Sequence, residues 1–501
     1  MDKQTKIIAT ISDLRCEQSF IQSLFNEGMN VVRMNSAHIE EEGFDRIINN
    51  TRAVSNEIGI LMDTKGPEVR TTKCDEPIEI RTGDILKMKG APDEVSTKEM
   101  ICVSYKDFVK DVSVGSDILF DDGEIDVKVI SKTEDYLLCE AMNDGSLGSR
   151  KSVNVPGVRI NLPSLTEKDK KNILFAIDRD IDFIAHSFVR NKQDVLDIQS
   201  ILDAHKSPIK IIAKIENQEG VDNIDEILEV AYGVMVARGD LGIEIAQEKI
   251  PSIQRVLIRK CVVAKKPVIV ATQMLHSMIK NPRPTRAEVT DVANAIFYRT
   301  DALMLSGETA YGKYPVEAVR TMSKVASEAE KTKLKDNDIK IPYLRNEDDI
   351  TSFLAKQAVK SQELLNTKAI ITDSYTGKTA RYLAAYRGVN PILAICYKER
   401  LVRQLALSYG VTPIFQEEKE DTRHYFFAAL KMLIENGYLK ISSQISTGIF
   451  SIVETLLGKT FIPENVKNNA NEFAESGFCS IARAEENPSG ENFILDFSYY
   501  I

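Results

Sequence analysis

The stretch Ile209-Lys210-Ile211-Ile212-Ala213-Lys214-Ile215-Glu216 decides the fold, because an apolar, β-branched run of strand length ends abruptly in charged groups. Lys214 and Glu216 lie two apart, so on an extended strand both side chains leave on the same side. Similar runs recur at Ile7–Ile11, Asn30–Arg33, Ile58–Met62, Phe183–His186, Val234–Val236, Val268–Ala271 and Ala302–Leu305. Helix-like segments such as Ile250–Lys265 and Arg286–Tyr298 separate them. Apolar strands alternating with helices in this number predict an α/β fold built on a closed (β/α)8 TIM barrel.

Between about Gly66 and Leu162 the alternation fails. Short strands and turn signals such as Asp121-Asp122-Gly123 and Asn143-Asp144-Gly145 replace helices altogether. A charged run over Glu328–Asn346 ends in Ile341-Pro342 and reads as a linker, after which α/β patterning resumes at Ala369–Thr372 and Pro391–Ile395. The predicted organisation is a barrel over residues 1–65 and 163–335, an inserted small β-barrel lid over 66–162, and a C-terminal three-layer α/β domain over 346–501. After about Asn436 the pattern blurs.

A chain of 501 residues, 43% hydrophobic and 28% charged, is long enough to bury several cores. A net charge of -10 excludes a general nucleic-acid partner, so any anionic ligand must be met by a local basic pocket. The 7 cysteines are scattered without metal-ligand spacing, which predicts reduced thiols and a cytoplasmic location. Ile7–Ile11 is too short for a signal-peptide core, and no window reaches the roughly twenty apolar residues of a membrane helix, so no membrane partner is expected.

Barrel enzymes place their chemistry at the carboxyl ends of the strands. Here those ends read Arg33 and Asn35, Asp63-Thr64-Lys65, Ser187 and Arg190, Lys214 and Glu216, Arg238-Gly239-Asp240, Thr272-Gln273, and Ser306-Gly307-Glu308-Thr309. One polar residue after a strand is ordinarily a helix cap or a turn former. Cations and carboxylates alternating around one rim are not explained by caps, whereas a metal-assisted anion site accounts for both signs. Glu216 and Asp240, on adjacent strands, would supply hard oxygen ligands for one Mg²⁺.

Lys214-Ile215-Glu216-Asn217, Met235-Val236-Ala237-Arg238-Gly239-Asp240-Leu241-Gly242 and Ala271-Thr272-Gln273-Met274-Leu275 closely resemble blocks of the pyruvate kinase family. So do Asp63-Thr64-Lys65-Gly66-Pro67-Glu68-Val69-Arg70, the segment 281–288, Leu305–Ala310 and Gly145–Lys151, in register over roughly residues 5–330. The resemblance implies phosphoryl transfer from phosphoenolpyruvate to ADP with Mg²⁺ or Mn²⁺, in a homotetramer. It implies that Lys214 and Arg33 stabilise the transferring group, that Glu216 and Asp240 hold the metal, and that Ser187, Gly239, Asp240 and Thr272 contact substrate. Thr272, with Ser306 and Glu308 as relay partners, would protonate the enolate. Arg70, Lys151, His38 and Asp122 would meet the nucleotide, and Asn35, Asp63 and Thr64 a K⁺ ion, with Glu68 at the position linked to K⁺ dependence.

The chain departs from the family in three places. Asn35-Ser36-Ala37-His38 stands where Asn-Phe-Ser-His is usual, so Ala37 removes an expected K⁺ hydroxyl ligand. Ser12-Asp13 replaces Gly-Pro, and Gly43 lies near the usual aromatic of the nucleotide site. In the C-terminal domain, Thr372–Ala380 follows a strand and opens a helix whose amides suit a phosphorylated effector. No glycine-rich effector loop follows Gly437. Two other readings compete: a Mg²⁺-dependent lyase acting on a pyruvate enolate, and an inactive sensor of phosphoenolpyruvate or nucleotide.

Overall fold

The computed structural model describes residues 3–37, 39–332, 350–365, 367–417, 422–438, 479–482 and 492–496. Strands β1 (Lys6–Thr10), β2 (Val31–Asn35) and β3 (Gly59–Asp63) begin the barrel. An insertion follows, built from β4 (Ile78–Ile80), β5 (Ile85–Gly90), β6 (Ile101–Val103), β7 (Asp117–Phe120), β8 (Ile125–Lys132), β9 (Leu137–Ala141), β10 (Gly145–Leu147) and β11 (Val153–Asn154). The barrel is completed by β12 (Phe183–His186), β13 (Lys210–Ile215), β14 (Gly233–Ala237), β15 (Val268–Ala271) and β16 (Ala302–Leu305). These close all-parallel in the order β1-β16-β15-β14-β13-β12-β3-β2.

Strand periodicity divides the barrel residues between two cores. Ile8, Val31, Leu61, Phe183, Ile212, Met235 and Ile269 point inward and pack on one another. Their chain neighbours Ile7, Val32, Ile60, Ile184, Ile211, Val234 and Val268 pack outward against the helices. Continuing the inward parity past the last apolar layer leads from Val31 to Arg33, from Leu61 to Asp63, and from Ile212 to Lys214 and Glu216. The interior is filled below this level, so the polar layer sits as a rim on a packed floor.

In the insertion, a six-stranded sheet in the order β11-β7-β8-β9-β5-β6 and the β10-β4 ladder wrap one apolar core around Phe108, Phe120, Val127 and Leu137. One expectation is corrected here, since the insertion does hold a helical turn, Phe108–Asp111. Phe108 and Val109 are buried in that core, and a single turn is how a connection places two consecutive apolar side chains inward.

The C-terminal sheet runs β19-β18-β17-β21-β20, from β17 (Thr367–Ser374), β18 (Ile392–Cys396), β19 (Val411–Phe415), β20 (Cys479–Ala482) and β21 (Asn492–Asp496). Separate apolar clusters cover its two faces, giving helix, sheet and helix layers. Sequence reading found β17 and β18 but missed β19, where Pro413 interrupts the apolar run. The linker predicted over Glu328–Asn346 starts too early, because Glu328–Lys331 form the last turn of the helix Pro315–Lys331, whose apolar face still packs on the barrel; residues 333–349 lie outside the described residues, as does most of the chain after Tyr438.

Ala406 and Leu407 join the barrel's inner cluster, so the C-terminal domain stoppers the amino-terminal mouth of the barrel. Buried ion pairs hold the two together. Arg387 Nη2 lies 2.6 Å from Asp301 Oδ2, and Arg403 Nε lies 2.6 Å from Asp182 Oδ1. Asp301 also accepts the amides of Val268 and Tyr409, so it ties a barrel strand to the following domain. Removing one partner of such a pair strands a buried charge. Arg387→Met is expected to destabilise the protein by about 3 kcal/mol or more, read as a lowered thermal midpoint, whereas Arg179→Ala at the exposed Arg179–Asp45 pair should leave it nearly unchanged. Equal midpoints for the two variants would contradict this account of the floor.

Candidate active site

The rim is organised around Asp63, a buried carboxylate at the end of β3. Its Oδ2 lies 2.5 Å from Arg33 Nη2 on β2 and 3.3 Å from Lys214 Nζ on β13. Burial alone would raise the Asp63 pKa, but the two cations outweigh it and hold the carboxyl below its ordinary range. For Lys214, burial disfavours the ammonium, and Asp63, Glu216 and Asp240 together overcome that and raise its pKa. Lys214 therefore stays charged across the neutral range.

Ser187, after β12, bridges the arc. Lys214 Nζ donates to Ser187 Oγ at 2.8 Å, Ser187 Oγ donates to the Thr64 carbonyl at 2.7 Å, and the Ser187 amide donates to Thr64 Oγ1 at 3.0 Å. Arg33 is further steadied by Thr10 Oγ1 at 3.3 Å, which donates to the Leu305 carbonyl. Each cation is thus held in one orientation before any ligand arrives.

Glu216 is 1% exposed. Its Oε2 accepts the Phe188 amide at 2.7 Å. Its Oε1 forms an ion pair with Lys214 Nζ at 3.0 Å and accepts no other hydrogen bond among the described residues. Burial pushes the Glu216 pKa up, Asp240 adds to that, and Lys214 opposes it. A buried carboxylate oxygen without a further hydrogen-bond partner among the described residues, near a second carboxylate, suits one hard divalent cation that keeps sites free for substrate oxygens. Asp63 Oδ1 and Ser36 Oγ are likewise buried without partners among the described residues, while Asn35 Oδ1 accepts the Ala37 amide at 3.1 Å.

Opposite this arc, Thr272 stands at φ 68° and Gln273 at φ 54°, left-handed backbone that a β-branched residue adopts only under strain. The Gly239 amide donates to Thr272 Oγ1 at 2.7 Å, and that hydroxyl donates to the Ala271 carbonyl at 2.7 Å. Arg238 braces the same turn, donating to the Thr272 carbonyl at 2.7 Å and pairing with Asp291 at 2.6 Å. Glu308 is anchored by backbone, its two oxygens accepting one amide each, from Ser306 and Leu275. Ser306 Oγ is buried without a partner among the described residues.

Above the rim, Asn35, Arg70, Asp122, Lys151 and Asp240 share a cavity of about 970 Å³ between barrel and insertion. Arg70 pairs with Glu68 at 2.6 Å, Lys151 pairs with Asp121, and Asp122 accepts from Ser152 Oγ at 2.9 Å. The insertion also reaches the barrel through Asn154 Nδ2, 3.2 Å from Glu244 Oε1. His38 lies outside the described residues. Two departures from the family meet in space: a side-chain carbon added at Gly43 would fall 2.8 Å from Asp13 Cβ. Asp13 therefore occupies the room that Gly43 leaves. Sequence reading missed the Phe188 amide, because a backbone donor has no residue-type signature.

The amino-terminal part of the chain, residues 2–319, matches the family model for the pyruvate kinase barrel domain, and residues 353–447 match that for the pyruvate kinase alpha/beta domain. The pyruvate kinase of Borreliella burgdorferi is 48% identical over 439 residues, covering 87% of this chain and 91% of the relative. That of Geobacillus stearothermophilus is 45% identical, covering 88% of this chain and 76% of the relative. A crystal structure of a pyruvate kinase from Cryptosporidium parvum superposes with a TM-score of 0.84 at 37% identity, covering 87% of this chain and 92% of that one.

One buried group beneath the rim titrates in reach of experiment. His186 Nδ1 lies 3.3 Å from Thr64 Oγ1, and burial lowers the imidazole pKa to about 4. The unfolded chain binds this proton near pH 6.5, so the stability that neutral His186 gives is present above that pH and is lost as pH falls toward 4. By about pH 5.5 the loss is roughly 1 kcal/mol. Thermal midpoints at about pH 7.5 and 5.5 should fall less for His186→Gln than for the parent, and an equal drop would contradict the assignment.

Proposed function

The chain belongs to the pyruvate kinase family, and on that premise we propose that it moves the phosphoryl group of phosphoenolpyruvate to ADP, giving pyruvate and ATP. The observation that carries this reading is the Asp63-anchored pair of cations, Arg33 and Lys214, set beside the buried carboxylate of Glu216. Phosphoryl transfer asks for little covalent participation by the protein. It asks for fixed positive charge around the equatorial oxygens of the group in flight.

In this reading Lys214 and Arg33 bind those oxygens and stabilise their charge as the bond to the enol oxygen breaks and the bond to the ADP β-phosphate forms. Glu216 and Asp240 are the residues that would hold Mg²⁺ or Mn²⁺, whose charge when bound offsets that of the substrate's carboxylate and phosphoryl oxygens. Ser187 keeps Lys214 in register, and the Gly239 amide orients Thr272 Oγ1. The enolate left behind takes a proton at carbon from the Thr272 side. A threonine hydroxyl is a weak acid, so Ser306 Oγ serves in the relay and Glu308 positions the turn. Arg70, Lys151 and Asp122, with His38, receive the nucleotide in the cavity under the insertion, which excludes water from the transfer.

Asn35, Asp63 and Thr64 form the proposed K⁺ site, to which Asp63 Oδ1 and Ser36 Oγ, the latter next to Ala37 in the chain, bring buried oxygens without partners among the described residues. A phosphorylated effector at Thr372–Ala380 would have to displace local bonds, since the Gly377 and Lys378 amides already donate to Ser374 Oγ and Thr376 Oγ1. Homotetramer assembly and a cytoplasmic location are carried over from the family; among the described residues no helix is long and apolar enough to cross a membrane. No observation favours a lyase or a sensor, and the lid cations Arg70 and Lys151 support the kinase.

Pyruvate formation from phosphoenolpyruvate and ADP should require Mg²⁺, and parallel K⁺ and Na⁺ buffers decide the monovalent cation. Folded protein that makes no pyruvate with any nucleoside diphosphate would overturn the reading. Lys214→Ala should lower kcat by about a thousandfold or more while leaving phosphoenolpyruvate binding largely intact, because its charge acts on the transition state. A fully active variant would remove Lys214 from the mechanism.

A further inference from the structure

The chain passes between barrel and insertion twice, outward after β3 through Thr64-Lys65-Gly66 and back from β11 to the helix Glu167–Asp178. Both passages meet one carboxylate. Asp169 Oδ1 accepts the Lys65 amide at 2.8 Å and the Gly66 amide at 3.5 Å, while Oδ2 accepts the Thr166 amide at 3.0 Å and the Thr166 hydroxyl at 2.6 Å. Asp169 is buried and forms no ion pair among the described residues, so amides and one hydroxyl stand in for the water it has lost. Thr166 caps the helix, and the reciprocal capping pair accounts for Oδ2. It does not account for Oδ1, whose partner Lys65 lies 104 residues back along the chain.

The outward passage is fixed at each of its residues. The Thr64 amide donates to the Ala185 carbonyl at 2.9 Å, and the Lys65 and Gly66 amides donate to Asp169. Gly66 stands at φ 73°, so close to Phe188 that an added Cβ would fall 2.7 Å from its Cδ2. Beyond these crossings the insertion is loosely joined to the barrel. Its apolar core is separate from the barrel's, and polar contacts span the gap: Asn154 to Glu244 at 3.2 Å, Arg159 to Glu219 at 3.5 Å, and Arg190 to the Leu162 carbonyl at 2.9 Å. A body joined in this way turns as a unit about its chain crossings.

We propose that Asp169 is a positioning residue for the transfer: it ties both crossings to one point of the barrel and so sets where the insertion carries Arg70 and Lys151 relative to Lys214 and Arg33. Arg70 and Lys151 travel with the insertion, whereas Lys214, Arg33 and Glu216 stay with the barrel. Loosening the crossings therefore acts on the nucleotide and leaves the groups that meet phosphoenolpyruvate in place. The kinetic side of this inference rests on the reaction proposed above. The anchoring side does not, because amide hydrogen exchange reads Lys65 and Gly66 without turnover.

Two variants of the full chain separate this role from helix capping. Asp169→Asn keeps the shape but offers one acceptor where donors approach from both sides, so one crossing loses its anchor. Thr166→Val removes the capping hydroxyl and leaves Asp169 Oδ1 on Lys65. Asp169→Asn should raise KM for ADP and lower kcat, each by at least about fivefold, with KM for phosphoenolpyruvate within about twofold of the parent. Exchange at Lys65 and Gly66 should quicken at least about tenfold, with β12 to β16 unchanged. Thr166→Val should lower the thermal midpoint and leave the kinetic constants and this exchange within about twofold. If Asp169→Asn does not fold, Asp169→Glu, whose longer arm displaces both oxygens, must show the same split. A parent that makes no pyruvate sinks the reaction reading, and exchange alone then decides the anchor. An ADP KM within about twofold of the parent, exchange unmoved at Lys65 and Gly66, or an equal KM shift in Thr166→Val would each overturn the proposal.

Discussion

A single buried carboxylate holds the rim together. Arg33 and Lys214 are both nearly inaccessible to solvent, and two such cations stay side by side only because Asp63 lies between them, 2.5 Å from one and 3.3 Å from the other. The dependence is mutual, since Asp63 is itself kept ionised in a buried position by those cations. The other parts of the arc follow from this pairing. With Lys214 fixed, Ser187 has a defined donor and Glu216 a defined neighbour: Oε2 accepts the Phe188 amide and Oε1 lies against Lys214 Nζ.

Barrel geometry makes the arrangement possible. Strands of period two carry inward residues upward in layers, and the last apolar layer is followed on several strands by a charged one. The floor matters for the same reason, since groups on different strands stay aligned only while the barrel keeps its shape. Buried pairs at Asp301 and Asp182 fix the lower ends of the strands to the C-terminal domain. Strain at Thr272 and Gln273, by contrast, sits just past the carboxyl end of β15, where Arg238 and the Gly239 amide hold a conformation the chain would otherwise relax.

Much of this was legible in the sequence. The β-strand period and the charges ending each apolar run located the barrel and brought Arg33, Asp63, Lys214 and Glu216 into one reading. What escaped it depends on backbone or on distance. The Phe188 amide contributes no side-chain chemistry, the left-handed turn at Thr272 has no glycine to announce it, and Arg403 meets Asp182 across 221 residues of chain. Gly43 and Asp13 read as two separate departures, and only their contact shows that one accommodates the other. The two amides that Glu308 accepts, from Leu275 and Ser306, were equally out of reach, since they belong to backbone.

The most direct measurement is kcat for Asp63→Asn at saturating phosphoenolpyruvate, ADP and Mg²⁺. The amide preserves shape and removes the charge that couples Arg33 to Lys214. The account predicts a folded protein whose kcat falls by at least about a hundredfold, in the range seen when a fixed charge-stabilising group is lost. A kcat within about threefold of the parent would contradict it, because the two cations would then be holding their places without the carboxylate between them.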